Sequence, residues 1–164
     1  DEKEGSQNLI KDIRYTSNNN NGDIFELLAE YGEPSLTNSE LMFLKNVKGN
    51  IILKNKSKIK LWSDYANFNT KTFETLFVNN VKIKRDDEKI TGNELYLVFD
   101  QSEEMIKENA EIEQNLIRIS YDVLVKKPGY TLKADVIEID LLTKNLKIFM
   151  NDKISKVSAT SQIN

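Results

Sequence analysis

Neither cysteine nor histidine occurs among the 164 residues of this chain. The first absence excludes disulfides, zinc–thiolate centres and thiol nucleophiles, and it leaves the redox compartment unread, with an oxidising one allowed. The second removes the commonest general base together with the commonest transition-metal ligand, which weighs against an enzyme. Charge of one sign is lacking as well. Charged residues make up 30% of the chain, yet the net charge is −3. There is then no global basic field to hold a nucleic-acid backbone, and no nucleic-acid partner is expected. No window approaches the roughly 18 consecutive apolar residues of a membrane-spanning helix. The chain opens on Asp1 rather than Met, so removal of a signal peptide or membrane anchor ahead of it stands as an expectation.

What is present is a recurring phrase. Apolar-alternating runs climb into a small residue followed by an acid or amide at Ala29-Glu30, Ser63-Asp64, Gly92-Asn93 and Ala134-Asp135. Repetition at roughly thirty to forty residues marks one supersecondary unit used several times, each copy unable to bury its apolar face alone. Two-residue alternation runs from Ile24 to Ala29 and returns in Ile59–Ser63, Val81–Lys84 and Tyr130–Ala134. These read as half-buried strands. Turn signals separate them at Gly32-Glu33-Pro34, Lys48-Gly49-Asn50, Arg85-Asp86-Asp87-Glu88 and Lys127-Pro128-Gly129. Short strands with evenly spaced polar turns describe an all-β sandwich, roll or barrel in a single domain.

Two stretches stand apart. Residues 1–21 are polar and end in an Asn run, and they read as a flexible lead-in, although Leu9, Ile10, Ile13 and Tyr15 offer an edge element as the alternative. Gln101 to Asn115 has helical composition between strand units, so Met105 to Ile112 is expected to be recruited as a strand.

Ser63-Asp64-Tyr65-Ala66-Asn67-Phe68-Asn69 followed by Asn79-Asn80-Val81-Lys82-Ile83, then Ile90-Thr91-Gly92-Asn93-Glu94-Leu95 and Leu132-Lys133-Ala134-Asp135, resembles the periplasmic lipopolysaccharide-transport proteins of the LptC/LptA (OstA-like) superfamily. The likeness covers roughly residues 22–156 and is nearer to LptC than to LptA, because a polar lead-in is present and regular Gly-Asn-Val steps are not. The resemblance implies an open, twisted β-jellyroll of two antiparallel sheets splayed into a V over residues 22–158. Residues 1–21 would follow a membrane anchor and 159–164 would form a tail. It implies a non-enzymatic role without cofactors in outer-membrane biogenesis. Lipid A acyl chains of lipopolysaccharide would bind an apolar groove and pass along an edge-to-edge bridge from inner to outer membrane. Partners would be other Lpt-type β-jellyroll proteins and an inner-membrane ABC transporter complex, with the chain in the periplasm, tethered by an N-terminal helix. An LptA-like soluble bridge or a lipid-free scaffold module are the alternatives.

The groove residues expected from the alternation are Phe25, Leu27, Ile59, Leu61, Phe68, Phe77, Val81, Ile83, Leu95, Leu97, Phe99, Ile119, Leu132, Ile139, Ile148 and Met150. Each methylene leaving water gains about 0.8 kcal/mol, so an accessible face of this kind suits acyl chains. The same pattern suits a closed sandwich core, since alternation identifies the apolar face without showing that it is open. Lys82, Lys84, Lys89, Lys126, Lys127 and Lys133 either meet lipid phosphates at the groove mouth or point outward, some of them guarding edges. Trp62, Tyr65 and Tyr96 offer a sugar-stacking platform or ordinary sheet-face packing. Asp86-Asp87-Glu88 reads as a solvated hairpin, lacking the spacing of a calcium loop. Adjacent Glu103 and Glu104 point to opposite faces of a strand and cannot flank one bond. Asp64 and Asp135 read as strand-end residues bonded to nearby backbone. No metal site is expected.

Overall fold

Among the described residues ten strands, β1 (Ile10–Asn18), β2 (Ile24–Pro34), β3 (Leu41–Ile52), β4 (Lys58–Asn69), β5 (Thr75–Arg85), β6 (Glu88–Val98), β7 (Leu116–Lys127), β8 (Tyr130–Asp140), β9 (Leu146–Phe149) and β10 (Ser158–Ser161), form one antiparallel sheet. The computed structural model describes residues 9–99, 115–150 and 158–161. From β1 to β8 each strand pairs with its neighbours in the chain, while the outer edge of β8 is shared by β9 and β10. The sheet is not closed: β1 lies at one end and β9 with β10 at the other. The expected all-β, open roll is the fold observed. Within residues 1–21 the edge-element alternative holds, because Ile13 is buried against the core and Tyr15 packs on it, which docks β1 onto β2. The expected strand from Met105 to Ile112 lies outside the described residues.

β2, β3, β4, β6 and β8 each reverse their inward set near the middle, whereas β5 and β7 keep theirs, Phe77 then Val81 and Ile119 then Val123, by inserting two residues at the same level. On β4 the buried side chains are Ile59, Leu61 and Ser63, then Ala66 and Phe68; on β6 they are Ile90 and Gly92, then Leu95 and Leu97; on β8, Ala134, then Ile137 and Ile139. A strict two-residue period cannot do this, so an extra residue must be absorbed at each break. The odd strands absorb it in left-handed backbone: Asp12 in β1, Asn46 in β3, Asn79 and Asn80 in β5, Tyr121 and Asp122 in β7. Register shifts fall at the same level between Trp62 and Tyr65, Val78 and Val81, Thr91 and Glu94, and Ser120 and Val123. The breaks line up across the sheet as a crease.

The crease explains the recurring phrase. Ala29, Ser63, Gly92 and Ala134 are the buried inward residues beside it, small because the two arms of the sheet converge there. The acid or amide that follows is turned outward and pairs across the strands: Asn46 Nδ2 donates to Glu30 Oε2, Asn80 Nδ2 to Asp64 Oδ2 at 2.7 Å, and Asn93 Nδ2 to Asp122 Oδ2 at 3.4 Å. Asp64 and Asp135 are therefore mid-strand bend residues, which corrects their reading as strand ends.

Folding over at the crease puts the arms face to face. Residues 13–29, 47–63, 81–92 and 123–134 belong to the first layer; residues 31–45, 65–78, 94–99, 116–120 and 136–149 belong to the second. Tyr15 of the first stacks on Phe68 of the second with ring centroids 4.5 Å apart, and Phe25 meets Phe99 at 5.6 Å. At the far end the buried side chain of Asn19 donates to Asp23 Oδ2 and, across the layers, to Asn115 Oδ1 at 3.0 Å. Asp23 also accepts the backbone N–H of Lys54, and the carbonyl of Asn115 accepts that of Leu141. This polar buckle satisfies its buried groups while fastening four connections together.

Candidate functional site

The apolar face predicted from alternation is one continuous inner face. Thirteen of the expected groove residues lie on it with no more than 1% of their surface exposed: Phe25, Leu27, Ile59, Leu61, Phe68, Phe77, Val81, Ile83, Leu95, Leu97, Phe99, Ile119 and Ile139. They interlock as the core between the layers, so a trough open along the whole face is not what the structure contains. The reason is geometric: arms joined at an acute crease bring their inner side chains into contact, and close packing of such surfaces gains dispersion as well as hydrophobic stabilisation.

The exceptions share one edge. Leu132 on β8 and Met150 just after β9 are partly buried against the core, as is their neighbour Leu146 on β9, and Ile148 on β9 is 38% exposed. Ile148 pairs directly with Ile137 and Leu146 with Ile139, so both belong to the inner side of the second layer. Leu132 faces inward from the first layer, opposite Val125. Among the described residues the inner face is thus exposed at Ile148, at the β8–β9 end, where the layers leave an apolar lip. The β1 end is sealed by Tyr15 on Phe68, with Phe73 edge-on to Phe68 at 5.5 Å. Burial there pushes the Tyr15 phenol pKa up.

The layers also part where their free ends meet. A hollow of about 250 Å³ has Leu53, Ile59, Ile139 and Leu141 on its apolar side, with Lys58, Arg85 and Lys144 around it beside Asp86 and Asp140. Arg85 Nη1 donates to the Lys144 carbonyl at 3.1 Å across its mouth. An apolar floor under a mixed rim, three cations against two carboxylates, can take an acyl chain with its anionic head turned to Lys58 or Lys144. Arg85 and Lys144 gave no sequence signal as a pair, since 59 positions separate them.

The remaining expected residues are dispersed. Lys127 contacts buried Glu88 at 3.3 Å, and Glu88, accepting its hydrogen bond and then by charge, raises the Lys127 pKa. Arg85 contacts the same carboxylate at 3.0 Å. Glu88 therefore points inward as an ion-paired strand residue; the solvated hairpin is Asp86-Asp87 alone, with Asp86 left-handed as a two-residue turn requires. Lys82, Lys84, Lys89, Lys126 and Lys133 project from interior strands of the first layer, away from the core, so none of them guards an edge. Trp62 lies under Lys82 Nζ at 4.9 Å, Tyr65 sits at the crease, and Tyr96 is on the second layer beside Glu74, so no aromatic platform forms. Glu103 and Glu104 lie outside the described residues. Among the described residues no three Asp or Glu converge on a metal position.

No protein-family model matches this chain, and no curated protein matches it by sequence. Solved structures do match. One is LptH, the LptA homologous periplasmic component of the conserved lipopolysaccharide transport device from Pseudomonas aeruginosa. It superposes with a TM-score of 0.54 at 12% identity, over 85% of this chain and 95% of that one. The likeness establishes the fold shared by the two chains.

Proposed function

We propose that this chain is a periplasmic component of lipopolysaccharide transport that takes acyl chains between its two layers and hands them on through edge-strand contacts. The observation that carries the reading is the lip at one edge: a jellyroll like that of LptH in which, among the described residues, the inner face is exposed at Ile148 with partly buried Leu132, Leu146 and Met150 around it. Tails enter there and extend the interior by separating side chains that are otherwise packed on one another, Leu97 and Ile139 among them. The anionic head stays outside, within reach of Lys58 or Lys144 on the mixed rim. Nothing covalent is required of the protein.

Handing on needs a free edge at each end. β1 and the β9–β10 pair are those edges, and their unpaired backbone groups accept another strand. β2 and its residues Ile24 to Ala29, which the alternation singles out, are covered on both sides by β1 and β3 and take no part. The likeness to an LptA homologue supports the soluble bridge role. The LptC-like role, tethered by an N-terminal helix and partnered with the ABC transporter complex, is supported by the sequence resemblance. Capture of the isolated transporter complex by the immobilised chain separates the two, being expected only of the LptC-like role.

A photo-crosslinking residue at Ile148 tests the lipid reading against its neighbour Phe149, which pairs with outward Val136 and faces the other side of the sheet. Crosslinks to lipopolysaccharide from position 148 and none from 149 are expected. Equal labelling at both positions, or none at either in the folded protein, refutes it.

A further inference from the structure

Outward side chains of the first layer fall into rows, because each strand pairs in register with the next. One row reads Lys60 on β4, Lys84 on β5, Lys89 on β6 and Lys126 on β7, each directly opposite the one before. At the usual strand spacing of about 4.8 Å the four cover about 14 Å. The adjoining row holds Lys82 opposite Trp62, with Lys133 beyond it on β8 opposite Leu124. All four lysines of the first row are exposed, and among the described residues none makes an ion pair. Like charges set directly across a ladder destabilise it. The row is therefore no stabilising device, and on interior strands it is no edge guard either.

We infer that this outer face docks on the surface of an anionic lipid bilayer. Charge complementarity is the first argument: Lys60, Lys82, Lys84, Lys89, Lys126 and Lys133 gather on this one face of the first layer. A plane touches the basic face alone, whereas a flexible polyanion that wraps would also meet second-layer carboxylates, Glu33, Glu40 and Glu94 among them, which selects a membrane over nucleic acid. The second argument is Trp62 and Leu124, half-buried among the lysines, the amphipathic mixture that settles at a headgroup boundary. Docked this way, the molecule lies with its first layer against the headgroups and its crease parallel to the bilayer. The inference concerns the opposite side of the sheet from the core and does not rest on acyl-chain uptake.

Sedimentation of the full chain with vesicles of phosphatidylglycerol and phosphatidylcholine in equal parts, against phosphatidylcholine alone, is the test. Binding to the first only is expected, falling steeply as salt rises from about 0.1 M to about 1 M. Each lysine lost should weaken it about fivefold. Lys84→Gln with Lys89→Gln should then cost about 25-fold, while Lys45→Gln with Lys71→Gln, off this face, should cost little. Circular dichroism and the unfolding midpoint of each variant confirm the fold. No binding of the wild type to anionic vesicles, equal loss in both double variants, or tighter binding to duplex DNA than to vesicles overturns the inference. Labelling at position 148 reads the acyl-chain proposal separately.

Discussion

Gly92 carries more of the architecture than its size suggests. A Cβ there would lie 2.9 Å from Ile119 Cγ1 and 3.2 Å from the Ser120 carbonyl, with no space to take it up. Gly92→Ala is expected to lose about 1–3 kcal/mol in urea unfolding through overpacking. Gly129 differs: nothing lies within 4 Å of its Cβ position, and only its φ of +91° opposes a side chain. Tyr96 sets the alkaline limit. Its pKa is pushed up to about 12, by burial first and then by the charge and hydrogen bond of Glu74, with Arg118 opposing. The unfolded phenol ionises near 10, so the folded state keeps a proton the unfolded one releases. The resulting stability is complete below pH 10 and lost as pH rises toward 12. Lys127, also raised, acts in the same direction above its usual value of 10.5. Thermal unfolding from pH 9 to 12 should therefore show a falling midpoint that Tyr96→Phe makes shallower.

At the scale of the strand, the bend residues decide where one layer ends and the other begins. Asn80 holds a φ of +51° and donates to Asp64. Asn80→Ala removes the bond and keeps the Cβ penalty, whereas Asn80→Gly removes only the bond. Alanine should cost about 1 kcal/mol more than glycine by denaturant titration, and the reverse order would show that the backbone there is not left-handed. The lysine row belongs to this scale too: Lys84→Gln should raise the unfolding midpoint at low salt, with the gain vanishing near 1 M. The strands themselves were legible in the sequence because alternation is local. Their full length was not. Ile59–Ser63 and Val81–Lys84 show only first-layer halves, since the period breaks at Asp64-Tyr65 and Asn79-Asn80 and each half reads as a separate short strand. The small-acid phrase was visible but its meaning was not, because a bend residue and a strand end use the same side chains.

For the molecule as a whole, alternation showed which face is apolar. It left open how far that face is covered, which depends on the angle at the crease. Ile148 and Met150 were recognisable as inner-face residues and Phe25 or Leu95 equally so; nothing local distinguishes exposed Ile148 and partly buried Met150 from the sealed pair. Because β2 to β8 each run through both layers, the layers are expected to melt together. Trp62 fluorescence in the first layer and far-ultraviolet circular dichroism should report a single coincident transition, and two separated midpoints would contradict the shared-strand architecture. The pairing of every strand from β1 to β8 with its chain neighbours has one more outcome. Adding or removing a hairpin would lengthen or shorten the roll by two strand spacings, about 10 Å, without rewiring any other connection. A fold so threaded serves as a ruler, its span set by how many times the chain doubles back.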